Sequence, residues 1–250
     1  MAFDNEKLFV QEIKLERGKV PSFDIYPFDI KVVKNFTEIE LTKPVTFFVG
    51  ENGIGKSTFI EAIAVYLGLN AEGGTQNFNF STIPTHSILS EYLFIPRYGM
   101  PKTKFFLRAE SFYNVISEIQ KISEDPDSFG TLYDSYGGNL HECSHGESFI
   151  KLVENRFSDK GLYILDEPEA ALSPQKQMNL LCLIDDLVKK GSQFIIASHS
   201  PIIISYRDAQ ILDLNDNFKE IKYEDTDIYQ SYKMYLNDPY RIQHLMFDEE

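Results

Sequence analysis

Apolar residues arrive in short dense runs separated by polar, glycine-marked turns. The run Val45–Val49 is β-branched and aromatic and ends at Gly50, which predicts a buried strand. Behind it Phe59, Ile60, Ile63, Ala64 and Leu67 recur at helical spacing, and Gly68 marks the stop. Four further dense runs predict strands: Phe105–Leu107, Leu162–Leu165, Phe194–Ala197 and Ile211–Leu214. Phe149, Ile150, Leu152, Val153 and Phe157 form one helical stripe between them. Met178, Leu181, Ile184, Leu187 and Val188 form another, behind a Ser173-Pro174 cap and first turn. Near the beginning, Leu8–Leu15, Ile30–Val33 and Thr37–Leu41 predict strands. Phe112–Ile122 predicts a helix, and 124–145 a loop. From Asp227 a helical tail breaks and restarts at Asp238-Pro239, with Tyr229, Tyr232 and Tyr235 as a packing stripe. Strands alternating with helices imply an α/β fold with a mostly parallel sheet, flanking helices and an antiparallel β flank from the first strands.

The turn after the first buried strand carries chemistry. Gly50-Glu51-Asn52-Gly53-Ile54-Gly55-Lys56-Ser57 fits G-x-x-x-x-G-K-[ST] in full, between a strand and a helix. Glycines let backbone N–H groups turn inward on phosphate oxygens, and the helix N-terminus adds partial positive charge. Lys56 is placed for the β- and γ-phosphates and Ser57 for Mg²⁺, with Thr58 in the same first turn. The motif predicts ATP and Mg²⁺ as ligands. No Asn-Lys-x-Asp guanine-reading motif is present.

A second constellation is Leu162-Tyr163-Ile164-Leu165-Asp166-Glu167-Pro168, an apolar strand running into two carboxylates. Strand ends are where ligands sit in open α/β sheets. Asp166 is placed to hold Mg²⁺ and Glu167 to activate water, with Pro168 favouring extended backbone at Glu167.

Composition narrows the partners. The 250 residues carry 38 acidic against 24 basic side chains, a formal charge of −14, so a broad basic face for nucleic acid is not favoured. Hydrophobic residues at 43% and charged residues at 25% are ordinary globular usage, which excludes disordered and fibrous classes. Cys143 and Cys182 lie far apart and suit a reducing compartment. No apolar run is long enough to span a bilayer, and the acidic start lacks the shape of a signal peptide. The expectation is a soluble cytoplasmic protein without membrane insertion.

Three further segments bring a resemblance into view. Ser144-His145-Gly146-Glu147-Ser148 opens a helix upstream of Asp166 and is similar to the ABC signature sequence. Ala170-Ala171-Leu172-Ser173 follows the acidic pair as a D-loop does, and His199 in Ala197-Ser198-His199-Ser200-Pro201 follows a buried strand as the switch histidine does. Order and spacing resemble an ABC-type ATPase, a P-loop NTPase; Phe59-Ile60-Glu61-Ala62-Ile63 resembles the RecF and SMC branch of soluble stand-alone members.

The resemblance implies one ATPase domain over 1–250, with a core at about 36–214, a helical insert at about 111–158 as a small helical subdomain, and a helical tail at about 225–250. It implies an ATP-dependent homodimer in which Ser144 and Gly146 of one copy reach the nucleotide of the other. It also implies His199 at the γ-phosphate and Glu110 as the counterpart of the Q-loop glutamine, near the metal. His145 and Ser173 depart from the family pattern. Phe23, Tyr26 and Phe28 are the aromatics available to an adenine ring. A transporter subunit and a weakly hydrolysing, nucleotide-gated DNA-maintenance or interaction module are the alternatives; an additional protein partner is compatible with each.

Overall fold

The computed structural model describes residues 8–71, 73–74, 88–112 and 144–247. Six strands form the central sheet. They are β3 (Val45–Val49), β5 (Lys104–Arg108), β6 (Leu162–Asp166), β7 (Gln193–Ala197), β8 (Gln210–Asp213) and β9 (Lys219–Glu220), in the order β5-β6-β7-β3-β8-β9. All pairings are parallel except β8 with β9. A smaller antiparallel sheet carries β2 (Glu38–Glu40), β1 (Glu12–Leu15) and β4 (Leu93–Phe94), with β1 in the middle.

The central strands are apolar on both faces because both faces are covered. Phe48, Phe106, Ile164 and Ile195 point into a core shared with helix α2 (Lys56–Tyr66) and the small sheet. Their neighbours Phe47, Phe105, Leu165 and Ile196 point the other way. They meet α3 (His145–Arg156) and α4 (Pro174–Lys189). Burying a Phe or Ile side chain is worth roughly 1.5–3 kcal/mol, so the alternation locks strand register. Gln193 ties the sheets together: its Oε1 accepts from Phe9 N at 2.9 Å and Val10 N at 3.0 Å, and its Nε2 donates to Val10 O at 2.7 Å.

Most expected elements appear close to their predicted limits, with three corrections. Ile30–Val33 is not a strand. The chain forms a short helix, α1 (Lys31–Asn35), with Val32 and Val33 buried. β-Branched residues disfavour helix by only about 0.5 kcal/mol, less than the burial gained where Ile30 and Val32 pack on the turn before α2. In Leu8–Leu15 regular strand starts only at Glu12.

The tyrosine stripe is not a packing face. Helices α5 (Asp227–Asn237) and α6 (Pro239–Phe247) bury no residue, and Tyr232 is 52% exposed. Nearly all of the predicted helix Phe112–Ile122 and loop 124–145 lies outside the described residues, as does Cys143. Of the helical insert at about 111–158, only α3 and its flanking turns are described. Among the described residues no helix is long and apolar enough to cross a membrane.

Candidate nucleotide site

Strand β3 lies inside the sheet, between β7 and β8, and its C-terminal end runs through residues 50–55 into α2. Gly55 takes φ +108, and a Cβ there would stand 2.6 Å from Ile30 Cγ2 and 2.8 Å from Val32 Cγ1. Only glycine allows both the left-handed turn and the close approach of α1. Lys56 is 4% exposed, and its Nζ donates to Gly50 O at 2.9 Å and Glu51 O at 2.8 Å. Burial lowers the Lys56 pKa, while Glu167, Asp166 and Glu169 oppose that shift. Ile54 packs on the core, and Asn52 lines the cleft described below. Asn215, beyond β8, steadies the loop from outside. Its Oδ1 accepts from Glu51 N at 3.3 Å, and its own N donates to Asp213 Oδ1 at 2.9 Å.

The two carboxylates arrive on β6. Asp166, its last residue, is 3% exposed and accepts from Ser57 Oγ at 3.2 Å on Oδ1. Burial pushes its pKa up to about 7; Arg108 acts against this, and Glu167 adds to it. Glu167 is not extended as Pro168 suggests. It sits at φ +50, ψ +51, a left-handed position costing roughly 1–3 kcal/mol for a residue of this kind. Two backbone bonds hold it there, Glu167 N to Ala197 O at 2.9 Å and Ala170 N to Glu167 O at 3.1 Å.

His199 follows β7, and its Nε2 lies 3.7 Å from Glu167 Oε1. That Nε2 is buried and makes no hydrogen bond among the described residues. Burial, then Lys56, lower the His199 pKa, with Glu167 opposing, so the imidazole is neutral near pH 7. Glu167 and His199 border a cleft of about 590 Å³ together with Gly50, Asn52, Glu169 and Tyr232.

Glu169 belongs to this site although its sequence position, on a loop after the acidic pair, gave no sign of it. Its carboxylate accepts from the His199 backbone N–H and from Ser198 Oγ, the latter at 3.0 Å. Burial raises its pKa, and these hydrogen bonds act against the rise.

Glu110, expected near the metal, lies close enough to Asp166 for its charge to raise the Asp166 pKa. The chain turns at Ala109–Phe112 beyond the edge strand β5, and Glu110 sits on that turn, 80% exposed. Hydration keeps its carboxylate in water, where its partner is Arg108 Nη2 at 3.5 Å. Arg108 is the residue that reaches Asp166.

Ser144 and Gly146 start α3 and do not border the cleft of their own chain. Ser144 is exposed in a capping box: its N and Oγ both donate to Glu147 Oε2, at 2.9 and 2.8 Å, and Lys176 Nζ donates to its Oγ at 3.1 Å. Gly146 lets α3 close on the turn after the acidic pair, since a Cβ would stand 2.8 Å from Ala171 O. Ser173 caps α4, accepting from Lys176 N at 3.4 Å. Of the available aromatics, Phe28 is fully buried against Tyr92, Phe23 lies under Arg17, and Tyr26 is 64% exposed.

The oxygen ligands expected for Mg²⁺, a hydroxyl and a carboxylate, thus stand together at Ser57 and Asp166, a donor set that fits that ion.

Similarity to known proteins extends over most of the chain. A family model described as AAA domain matches residues 25–230. A Bacillus cereus protein provisionally named an ABC transporter ATP-binding protein is 29% identical over 163 residues, 60% of this chain and 29% of that protein. The chain therefore spans under a third of the length of such Bacillus relatives. The thiamine import ATP-binding protein ThiQ of Histophilus somni is 26% identical over 183 residues, covering 70% of this chain and 81% of ThiQ. Among solved structures, the SMC head domain of Thermotoga maritima aligns with a TM-score of 0.44 at 16% identity, over 82% of this chain and 94% of that one. With its family match spanning most of the sequence and the phosphate loop set against Asp166, the chain belongs to the AAA domain family, as an ABC-type P-loop ATPase nucleotide-binding domain.

Proposed function

We propose that this chain binds ATP with Mg²⁺, closes head-to-tail on a second copy of itself, and hydrolyses the γ-phosphate. The Ser57–Asp166 hydrogen bond at 3.2 Å carries the reading, because it joins the first turn behind the phosphate loop to the carboxylate at the end of β6. Backbone groups of Gly50, Asn52, Gly53, Ile54, Gly55, Ser57 and Thr58 surround the phosphates. Lys56 exchanges the carbonyls of Gly50 and Glu51 for phosphate oxygens. Ser57 and Asp166 would hold Mg²⁺, which when bound neutralises charge on those oxygens. Glu167 orients a water and takes its proton as the water oxygen adds to the γ-phosphorus. The bond to the β–γ bridging oxygen breaks, and ADP and phosphate leave. His199, neutral and with a buried Nε2 free of hydrogen bonds among the described residues, donates to a γ-oxygen. Ser144 and Gly146 of the second copy bring a helix N-terminus to the same phosphate. Loss of the γ-phosphate removes those bridging contacts, so the dimer opens after turnover.

The test combines turnover with size-exclusion chromatography of the full chain. Glu167→Gln should still bind ATP, stop hydrolysis and elute as a dimer with ATP and Mg²⁺. A monomer under saturating nucleotide would refute head-to-tail closure. The names of the Bacillus relatives and of ThiQ favour a second reading, an ATP-binding transporter subunit. Co-purification with a membrane-spanning protein separates that reading from a stand-alone ATPase.

A further inference from the structure

Arg108 ends β5 directly beside Asp166 at the end of β6, in parallel register. Side chains at paired positions leave the sheet on the same face. The guanidinium, 22% exposed, spreads over three carboxylates. Its Nη1 donates to Glu61 Oε2 at 2.8 Å, its Nη2 lies 3.5 Å from Glu110, and its Nε lies 3.5 Å from Asp166 Oδ2. That Nε is buried and makes no hydrogen bond among the described residues. Asp166 is therefore divided between two neighbours: Oδ1 takes the Ser57 hydroxyl, and Oδ2 faces Arg108. Glu61 lies one helical turn beyond Ser57 on α2, so the two share a helix face. Ser57, Asp166, Arg108 and Glu61 close a ring through the first two turns of α2.

We infer that Arg108 is a positioning residue for the metal-ligating carboxylate of Asp166. This rests on the ATP–Mg²⁺ reading above. Asp166 is almost fully buried, and Ser57 is its only hydrogen-bonding side chain among the described residues. Without a second neighbour its carboxylate could rotate about χ2 away from the Ser57 side. Arg108 fixes that rotation by charge across 3.5 Å without occupying a lone pair through a hydrogen bond, so both oxygens keep their capacity for a cation. Glu61, itself largely buried, fixes Arg108 in turn. Lysine cannot do the same, because one ammonium cannot span Glu61 and Asp166 as a planar fork does.

The experiment measures binding of a fluorescent ATP analogue to the full chain across a Mg²⁺ titration, with an EDTA arm, for wild type, Arg108→Met, Arg108→Lys and Glu61→Gln. Removing an outer-shell partner of a metal ligand costs about 10–100-fold in metal affinity. The Mg²⁺ concentration for half-maximal binding should therefore rise about tenfold or more in Arg108→Met. It should rise by a smaller factor in Arg108→Lys, and least in Glu61→Gln, where an acceptor remains for Arg108. Affinity in EDTA should stay within about twofold of wild type, which a general loss of site structure would not permit. An unchanged or lowered Mg²⁺ requirement in both arginine variants overturns the inference. If Arg108→Met does not fold, Arg108→Lys and Glu61→Gln decide by the same criterion. A wild type whose nucleotide binding ignores Mg²⁺ removes the ATP–Mg²⁺ reading itself, and the role of Arg108 with it.

Discussion

Glu169 holds His199 by the backbone: its carboxylate accepts the His199 N–H while its other oxygen takes the Ser198 hydroxyl at 3.0 Å. The turn after the acidic pair is thereby fastened to the turn after β7, and Glu167 and His199 end 3.7 Å apart. Glu169→Ala leaves a buried N–H and a hydroxyl without their acceptor, at a cost of about 1–3 kcal/mol. Turnover should fall roughly 10–100-fold, mostly in kcat, since the lost acceptor loosens the backbone that carries His199. Glu169→Gln keeps an acceptor for His199 and should recover most of the rate. Steady-state kinetics of both variants checks this, and equal losses would sink the backbone-anchor account.

Lys56 makes its hydrogen bonds within the loop it serves. Lys56→Ala should lower ATP affinity about 100-fold or more, consistent with losing a charge-assisted contact of about 3 kcal/mol. Isothermal titration with ATP and Mg²⁺ measures it. Unchanged affinity would remove the phosphate-loop assignment.

Gly55 is the position at which sequence and packing coincide. Gly55→Ala places a Cβ 2.6 Å from Ile30 Cγ2 while keeping φ at +108. Overpacking and left-handed strain together should cost about 2–4 kcal/mol in urea unfolding. Gly18→Ala, whose Cβ would meet nothing within 4 Å, should be close to neutral and serves as the control.

Ser144 is exposed, so a bulky replacement tests the second copy rather than the fold. In a Glu167→Gln background, Ser144→Arg should abolish the ATP-trapped dimer. Its own stability should drop by about 1 kcal/mol, the usual loss of an N-cap. Size exclusion and thermal unfolding on the same samples separate the two effects.

His199 has its pKa held below the ordinary 6.5 by burial and by Lys56. Below pH 6.5 the unfolded chain takes up a proton on this residue before the folded one does. Its contribution to stability is therefore flat above pH 6.5 and declines as pH falls through the window down to the folded pKa. Wild type should lose more Tm between pH 7 and pH 5.5 than His199→Gln does, and the acid limb of turnover due to His199 should lie below pH 6.5. A smaller Tm loss in wild type than in His199→Gln would contradict the sign.

The sequence by itself determined the elements whose signals are local. The phosphate loop needs contiguous residues between a strand and a helix, and 50–57 supplies them. The strands at 45–49, 162–166 and 193–197 are apolar on both faces, so burial alone dictates them. Ser173-Pro174 reads as a helix start because capping is a matter of a few adjacent atoms. Tertiary structure decided whatever depends on partners distant in the chain. Val32 went into a helix because packing against the phosphate loop outweighs a small propensity. Glu167 took a left-handed backbone because strand β7 holds its N–H, against the preference set by Pro168. Arg108 turned toward Asp166, and Asn215 and Glu169 joined the site from loops after β8 and β6. Hydrogen bonds and ion pairs of this kind are set by which strand ends the sheet order brings side by side, an order that no local spacing encodes.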